Sequence, residues 1–166
     1  MVHPKTDLYR QLYQLLDQVT PLRFDCGRLC DAACCQVSPE LPGMFLFPGE
    51  ESMFTDLAGF IISDAELPGF GPVRLLSCEG TCDRANRPLA CRVFPLAPAI
   101  LPDGVGVRPD PRGRAACPLC RQSAGSLSQE FTAAVRHVFR ALWAEPECRR
   151  FLSALTDVLA EFDRPL

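Results

Sequence analysis

The run Cys26-Gly27-Arg28-Leu29-Cys30-Asp31-Ala32-Ala33-Cys34-Cys35 decides how the rest of this chain is read. Cysteines recur there every four residues and end in a doubled pair, a pattern suited to metal thiolate ligation. Further along come Cys78, Cys82, Cys91 and the pair in Cys117-Pro118-Leu119-Cys120, while Cys148 stands apart, so nine of the ten cysteines lie between residues 26 and 120. Ten in 166 residues is far above ordinary usage, which leaves disulfides in an oxidising compartment or reduced thiols held for metal. Near the N-terminus the leucines are interrupted by Asp7, Arg10, Gln11 and Gln14, so nothing there reads as a signal peptide. No uncharged apolar run reaches the roughly 18 residues of a membrane span. The expectation is a cytoplasmic protein with reduced thiols and no membrane partner, although an even cysteine count is also what a disulfide framework would show.

A chain of this length with 48% hydrophobic residues can build one domain whose core forms partly without metal. A net charge of −3 and a pI near 5.4 argue against a nucleic-acid partner. The distribution of charge says more. Between Arg74 and Arg121 stand eight arginines and four acids, and five cysteines share that window. Arginine beside a thiolate lowers its pKa and offsets the negative charge that a multi-thiolate site accumulates, so the two sets of residues read as one feature. A solvated basic face is the plainer alternative. Nine of the sixteen prolines fall between Pro68 and Pro118, which predicts an irregular middle rather than a sheet.

Residues 6–19 place Leu8, Leu12, Leu15, Leu16 and Val19 at helical spacing before Pro21. Ser126 to Gln129 has capping-box spacing and precedes Phe131, Val135, Val138 and Leu142 on one face. Pro146 suits a first helical turn, with Phe151, Leu155, Val158 and Phe162 as its apolar stripe. Short apolar runs at Met44–Phe47 and Val73–Leu76 are candidate strands, and Phe60-Ile61-Ile62 fits strand or helix equally. The predicted fold is therefore mainly α. Residues 1–166 make a single small domain, in which terminal helices pack together around an irregular cysteine- and proline-rich metal-binding middle over about 22–120, and a helical segment covers about 126–163.

If residues 26–34 were helical or turn-like, Cys26, Cys30 and Cys34 would line one side and Cys35 would point elsewhere, to complete the site, to reach a second one, or to pack as a buried thiol. Cys117 and Cys120 have the short pair spacing of zinc ligands, whereas iron–sulfur clusters accept more varied spacings with a remote ligand. The two histidines, His3 and His137, lie outside the cysteine-rich middle, so an all-sulfur site is expected. Other chemistries find little support. Starting from Cys26 and Cys30, the third cysteine of a radical S-adenosylmethionine motif would fall on Ala33. There is no GxGxxG or P-loop, and Asp103-Gly104-Val105-Gly106 reads as a turn. The Cys117–Cys120 spacing is also that of dithiol oxidoreductases, but the strand-to-helix context of such motifs is missing. Two histidines leave almost no general base.

Cys26, Cys30 and Cys34-Cys35, followed by Cys82 and then by Arg87-Pro88-Leu89-Ala90-Cys91-Arg92-Val93-Phe94-Pro95-Leu96, resemble the YkgJ-type cysteine cluster family, also known as the CxxCxxCC or zinc- or iron-chelating domain. The likeness covers about residues 22–120, with first spacings wider than the family's name implies. It implies a metal or iron–sulfur centre carried most directly by Cys26, Cys30, Cys34, Cys35 and Cys91, with Cys78, Cys82, Cys117 and Cys120 resting on local spacing. The family extends to a domain of flagellin lysine methylases, which makes methyl transfer conceivable. Arg87 and Arg92 flank Cys91 and are candidates to orient or neutralise a bound centre, against the alternative of surface pairing with Asp83 or Glu79. Phe94, Pro95 and Leu96 would wall it from water. The expected function is metal binding, as an iron–sulfur cluster or Zn2+ in an electron-transfer or accessory module. A zinc-stabilised interaction domain with a protein partner and an enzyme using the centre are the alternatives.

Overall fold

The computed structural model describes residues 4–36, 43–56, 59–80 and 82–164. It begins with α1, Thr6–Leu16, which buries Tyr9, Leu12 and Leu16 along one stripe. The helix stops at Leu16 rather than at residue 19, ahead of Pro21. After a short strand β1, Met44–Phe45, comes a hairpin of β2, Phe60–Leu67, and β3, Gly71–Cys78. The sheet order is β1-β3-β2, with Met44 opposite Leu76 and Phe60 opposite Cys78. The turn Pro68-Gly69-Phe70 reverses the hairpin, and Gly69 supplies the positive φ of 80° it needs. A short α2, Leu89–Val93, then leads into a second ribbon, β4, Leu96–Leu101, against β5, Gly104–Pro109.

The middle is thus not irregular, and the expectation of a mainly α fold is wrong: two small antiparallel sheets make this a mixed α and β structure. Proline count misled because every proline was weighed as a sheet breaker. Pro98 lies in a two-stranded ribbon whose outer sides carry no partner, and Pro72 lies where β3 has left β1 behind and has a neighbour on one side only. A missing N–H costs nothing at such an edge. Nor does β2 announce itself by alternation, because only Phe60 and Leu67 at its two ends are buried. Of the Asp103–Gly106 stretch only Asp103 belongs to the turn, with Pro102; Gly104 already pairs with Leu101.

The chain ends in α3, Gln129–Ala144, and α4, Pro146–Glu161. Pro146 opens α4 as expected. The cap of α3 is Ser128, whose Oγ accepts from the Phe131 N–H, and not Ser126, which lies in a separate 3-10 turn. Phe131, Val135, Val138, Phe139 and Leu142 face Phe151, Leu152, Leu155 and Leu159 in a core that also takes Tyr9, Leu67, Leu89, Leu96 and Val105. At about 1.5–3 kcal/mol for each large apolar side chain removed from water, this cluster dominates the stability. Phe162 falls beyond α4 and stays exposed. A second, smaller cluster of Leu46, Phe60 and Leu76 sits under the three-stranded sheet, with Cys78 and Cys82 packed on it. Among the described residues no helix is long and apolar enough to cross a membrane.

Candidate metal centre

The segment that carries the first cysteines is not one helix. It forms two 3-10 turns, Cys26–Leu29 and Ala33–Cys35, separated by Asp31 and Ala32 at φ of 50° and 52°. Left-handed backbone at two successive non-glycine residues costs roughly 1–2 kcal/mol each. It also reverses the chain, so that the single helical thiol stripe expected from four-residue spacing does not form, although Cys26 and Cys30 stay near enough to Cys34 to help raise its pKa.

Past that reversal, Cys34 and Cys35 line a cavity of about 250 Å3 together with Cys78, Cys82 and Cys91. Each thiol arrives on a different piece of structure. Cys78 ends β3, and Cys82 follows Gly80, which takes a φ of 99° beside the Cys35 carbonyl oxygen. Cys91 sits in α2, with its N–H on the Pro88 carbonyl at 3.0 Å. Met44, Phe60, Leu76 and Phe94 supply apolar walls, and Arg87 and Arg112 reach in from two sides. Of the expected apolar shield, Phe94 faces the cavity while Leu96 is buried in the main core.

Electrostatics follow from this crowding. Burial pushes Cys91 up to about 12, helped by the neighbouring Cys82, Cys35 and Cys78. Burial also raises Cys82, against the pull of Arg87. Cys34 and Cys35 share a hydrogen bond in which the Cys34 thiol donates; this raises Cys34 and lowers Cys35, and Arg87 lowers Cys35 further. Burial works against the charge on Arg87, but Cys82, Cys35 and Cys91 outweigh it and the guanidinium holds its proton more tightly. Its Nε is buried without a hydrogen-bond partner among the described residues. A fixed positive charge facing four or five thiols is the compensation such a site needs before the thiols can ionise together.

Arg92 is placed differently. It is 8% exposed, stacks over Tyr13 at 4.5 Å, and donates to the Arg87 and Ala85 carbonyls at 2.8 and 2.7 Å. It fixes the backbone from which Arg87 projects rather than entering the cavity itself. Two groups that hold the site escaped the sequence reading. Glu50 is fully buried and accepts from the Tyr13 hydroxyl at 2.6 Å, the Phe47 N–H at 2.9 Å and the Leu89 N–H at 2.7 Å, so one carboxylate ties α1 and the chain after β1 to the start of α2, two residues before Cys91. Asp110, 2% exposed, pairs with Arg112 at the cavity wall. Their only local sign is an acid beside a turn-forming Pro or Gly, which is common at surfaces.

Cys26, Cys30, Cys117 and Cys120 do not line the cavity. Cys117 and Cys120 are buried in the main core, and Cys26 packs against it. Cys148 is also buried, beside the Tyr9 hydroxyl at 3.8 Å and far along the chain from the other thiols. His137 is exposed on α3, and His3 lies outside the described residues. Among the described residues no three cysteines, histidines, aspartates or glutamates stand close enough together to hold a single metal ion. No protein-family model, curated protein or solved structure matches the chain.

Proposed function

We propose that this protein holds a thiolate-ligated iron–sulfur cluster in the cavity, bound by Cys35, Cys78, Cys82 and Cys91, with Cys34 beside them. The observation that carries this reading is the combination of five thiols around one cavity of about 250 Å3 with no three of them near enough to share a single ion. A cluster spreads its cysteine ligands over several metal atoms, so it suits wide sulfur spacing with room in between, whereas one tetrahedral ion needs the sulfurs drawn together at about 2.3 Å from a common point. Arg87 fits the same reading, since it lines the cavity as a positive charge that would offset thiolate charge, and its buried Nε has no hydrogen-bond partner among the described residues. Bound there, such a group would supply one-electron chemistry behind the walls of Phe60, Leu76 and Phe94, in an electron-transfer or accessory module of the cytoplasm. The resemblance to the YkgJ-type family points the same way.

Iron, acid-labile sulfide and the visible spectrum, measured on protein purified without air, test the reading. Iron with matching sulfide and a brown colour is the expected result, and Cys91→Ala should lose both. Colourless protein without sulfide would overturn it.

A further inference from the structure

The thiols around the cavity are not equally anchored. Cys78 and Cys82 pack on Leu46, Phe60 and Leu76 under the three-stranded sheet, and Cys91 rides on α2, whose Leu89 and Val93 are buried in the main core. The Leu89 N–H is tied in addition to the Glu50 carboxylate at 2.7 Å. These three thiols are fixed by the fold itself. Cys34 and Cys35 arrive instead on a strap, residues 23–36, in which nothing is buried and Phe24 and Leu29 are about half exposed. Every hydrogen bond the strap makes among the described residues is internal to it. Cys26 packs against the main core and tethers its start. The two left-handed residues, Asp31 and Ala32, lie between that tether and the thiols, so the end of the strap that reaches the cavity is the end held least.

A cluster in the cavity thus has three ligands on the core and its fourth, Cys35, on the strap. Among the described residues Cys34 is the one exposed cysteine, and its thiol donates a hydrogen bond to the Cys35 sulfur. The strap is therefore also the side on which the thiols meet solvent. A centre that stays in place has its ligands locked by packing on rigid elements. One loosely held ligand at the solvent side, with a hydrogen-bond donor beside it, suits a centre that leaves.

We propose, on the reading that a cluster fills the cavity, that Cys35 is the releasing ligand, assisted by Cys34, and that this protein hands its cluster to an acceptor protein presenting free thiols. An acceptor thiol enters at the iron held by Cys35. The new Fe–S bond forms as the bond to Cys35 breaks, the proton of the incoming thiol ends on the Cys35 sulfur, and no electron is transferred. Cys34 steadies that sulfur while negative charge gathers on it, through the hydrogen bond it already donates. The strap then swings clear, and Cys78, Cys82 and Cys91 exchange in the same way onto thiols that the acceptor holds preorganised.

Transfer is measured by mixing the loaded protein, without air, with a metal-free ferredoxin of the cluster type its visible spectrum identifies, then separating the two and assaying iron and sulfide on the ferredoxin. The wild type should give up most of its cluster. Cys34→Ala, at an exposed position, should keep iron and sulfide yet transfer about tenfold more slowly, the worth of one hydrogen bond. Cys34→Ser, which retains a donor, should recover most of the rate. Trypsin should cut after Arg23 and Arg28, both exposed, faster in the metal-free chain than in the loaded one. A loaded wild type that keeps its cluster beside the acceptor, a Cys34→Ala variant as fast as wild type or devoid of iron, or equal cleavage with and without the cluster would overturn the proposal and leave the cluster reading standing. A wild type without iron and sulfide would overturn both.

Discussion

The helical pair α3–α4 and the cysteine-bearing segment 23–36 are held in opposite ways. In α3 and α4 twelve residues are buried, and each helix has a proper start, Ser128 as cap of the first and Pro146 within the first turn of the second. In 23–36 nothing is buried, the turns are 3-10, and two residues sit in the left-handed region. Apolar burial specifies the first region whatever is bound elsewhere. The second has its shape without that support, and what it has instead is thiols.

Substitutions can sharpen that contrast. Phe139→Ala, which empties a fully buried position between α3 and its neighbours, should cost about 3–5 kcal/mol in urea unfolding. If it cost under 1 kcal/mol, the helical pair would not be the principal support. Glu50→Gln comes next, at about 1–3 kcal/mol, because an amide N–H2 would face one of the three donors that the carboxylate accepts. The variant also carries a pH signature. Burial raises the Glu50 pKa from its ordinary 4.5, even though its three hydrogen bonds lower it. The native state therefore binds this proton more tightly than the unfolded chain does. Stability from this group is full below the ordinary value and is lost as pH rises through the raised one. Subtracting the stability profile of Glu50→Gln from that of the wild type should leave a downward step starting near the ordinary value; an upward step would reverse the assignment.

Ala32→Gly should stabilise the chain by less than about 1 kcal/mol, since glycine relieves the left-handed strain but adds freedom to the unfolded state. A loss of stability there would mean that Ala32 makes a contact worth more than its strain. Smallest of all, Leu29→Ala at a half-exposed site should stay within about 0.5 kcal/mol by the same unfolding assay. A cost near that of Phe139→Ala would erase the difference between the two regions.

Much of the helical part was legible in the chain itself. Leu12 and Leu16 and the stripes Phe131–Leu142 and Phe151–Leu155 bury as their spacing predicts, because helical periodicity is a property of neighbours within two turns, whereas Leu15, expected on the same face, is exposed and Tyr9 is buried in its stead. The sheets were only half visible. Met44 and Val73–Leu76 fall in strands, but β2 shows no alternation and β4–β5 hides among prolines, since their pairing depends on partners and free edges that a linear reading does not contain.

The sequence by itself determined that thiols dominate this protein's chemistry, that histidine is nearly absent from it, and that arginine accompanies the later cysteines. Only the tertiary structure decided which thiols meet. Four-residue spacing put Cys26, Cys30 and Cys34 on one side of a helix, whereas the segment folds as two 3-10 turns and only Cys34 of the three lines the cavity. Arg87 and Arg92 looked equivalent around Cys91, yet one lines the cavity and the other stacks on Tyr13. Glu50 gave little sign until the nearby Phe47 N–H and the distant Tyr13 hydroxyl and Leu89 N–H converged on it. The physical reason is common to all of these. Local preference is written in spacing, whereas the grouping of polar side chains is set by which segments the buried core brings together.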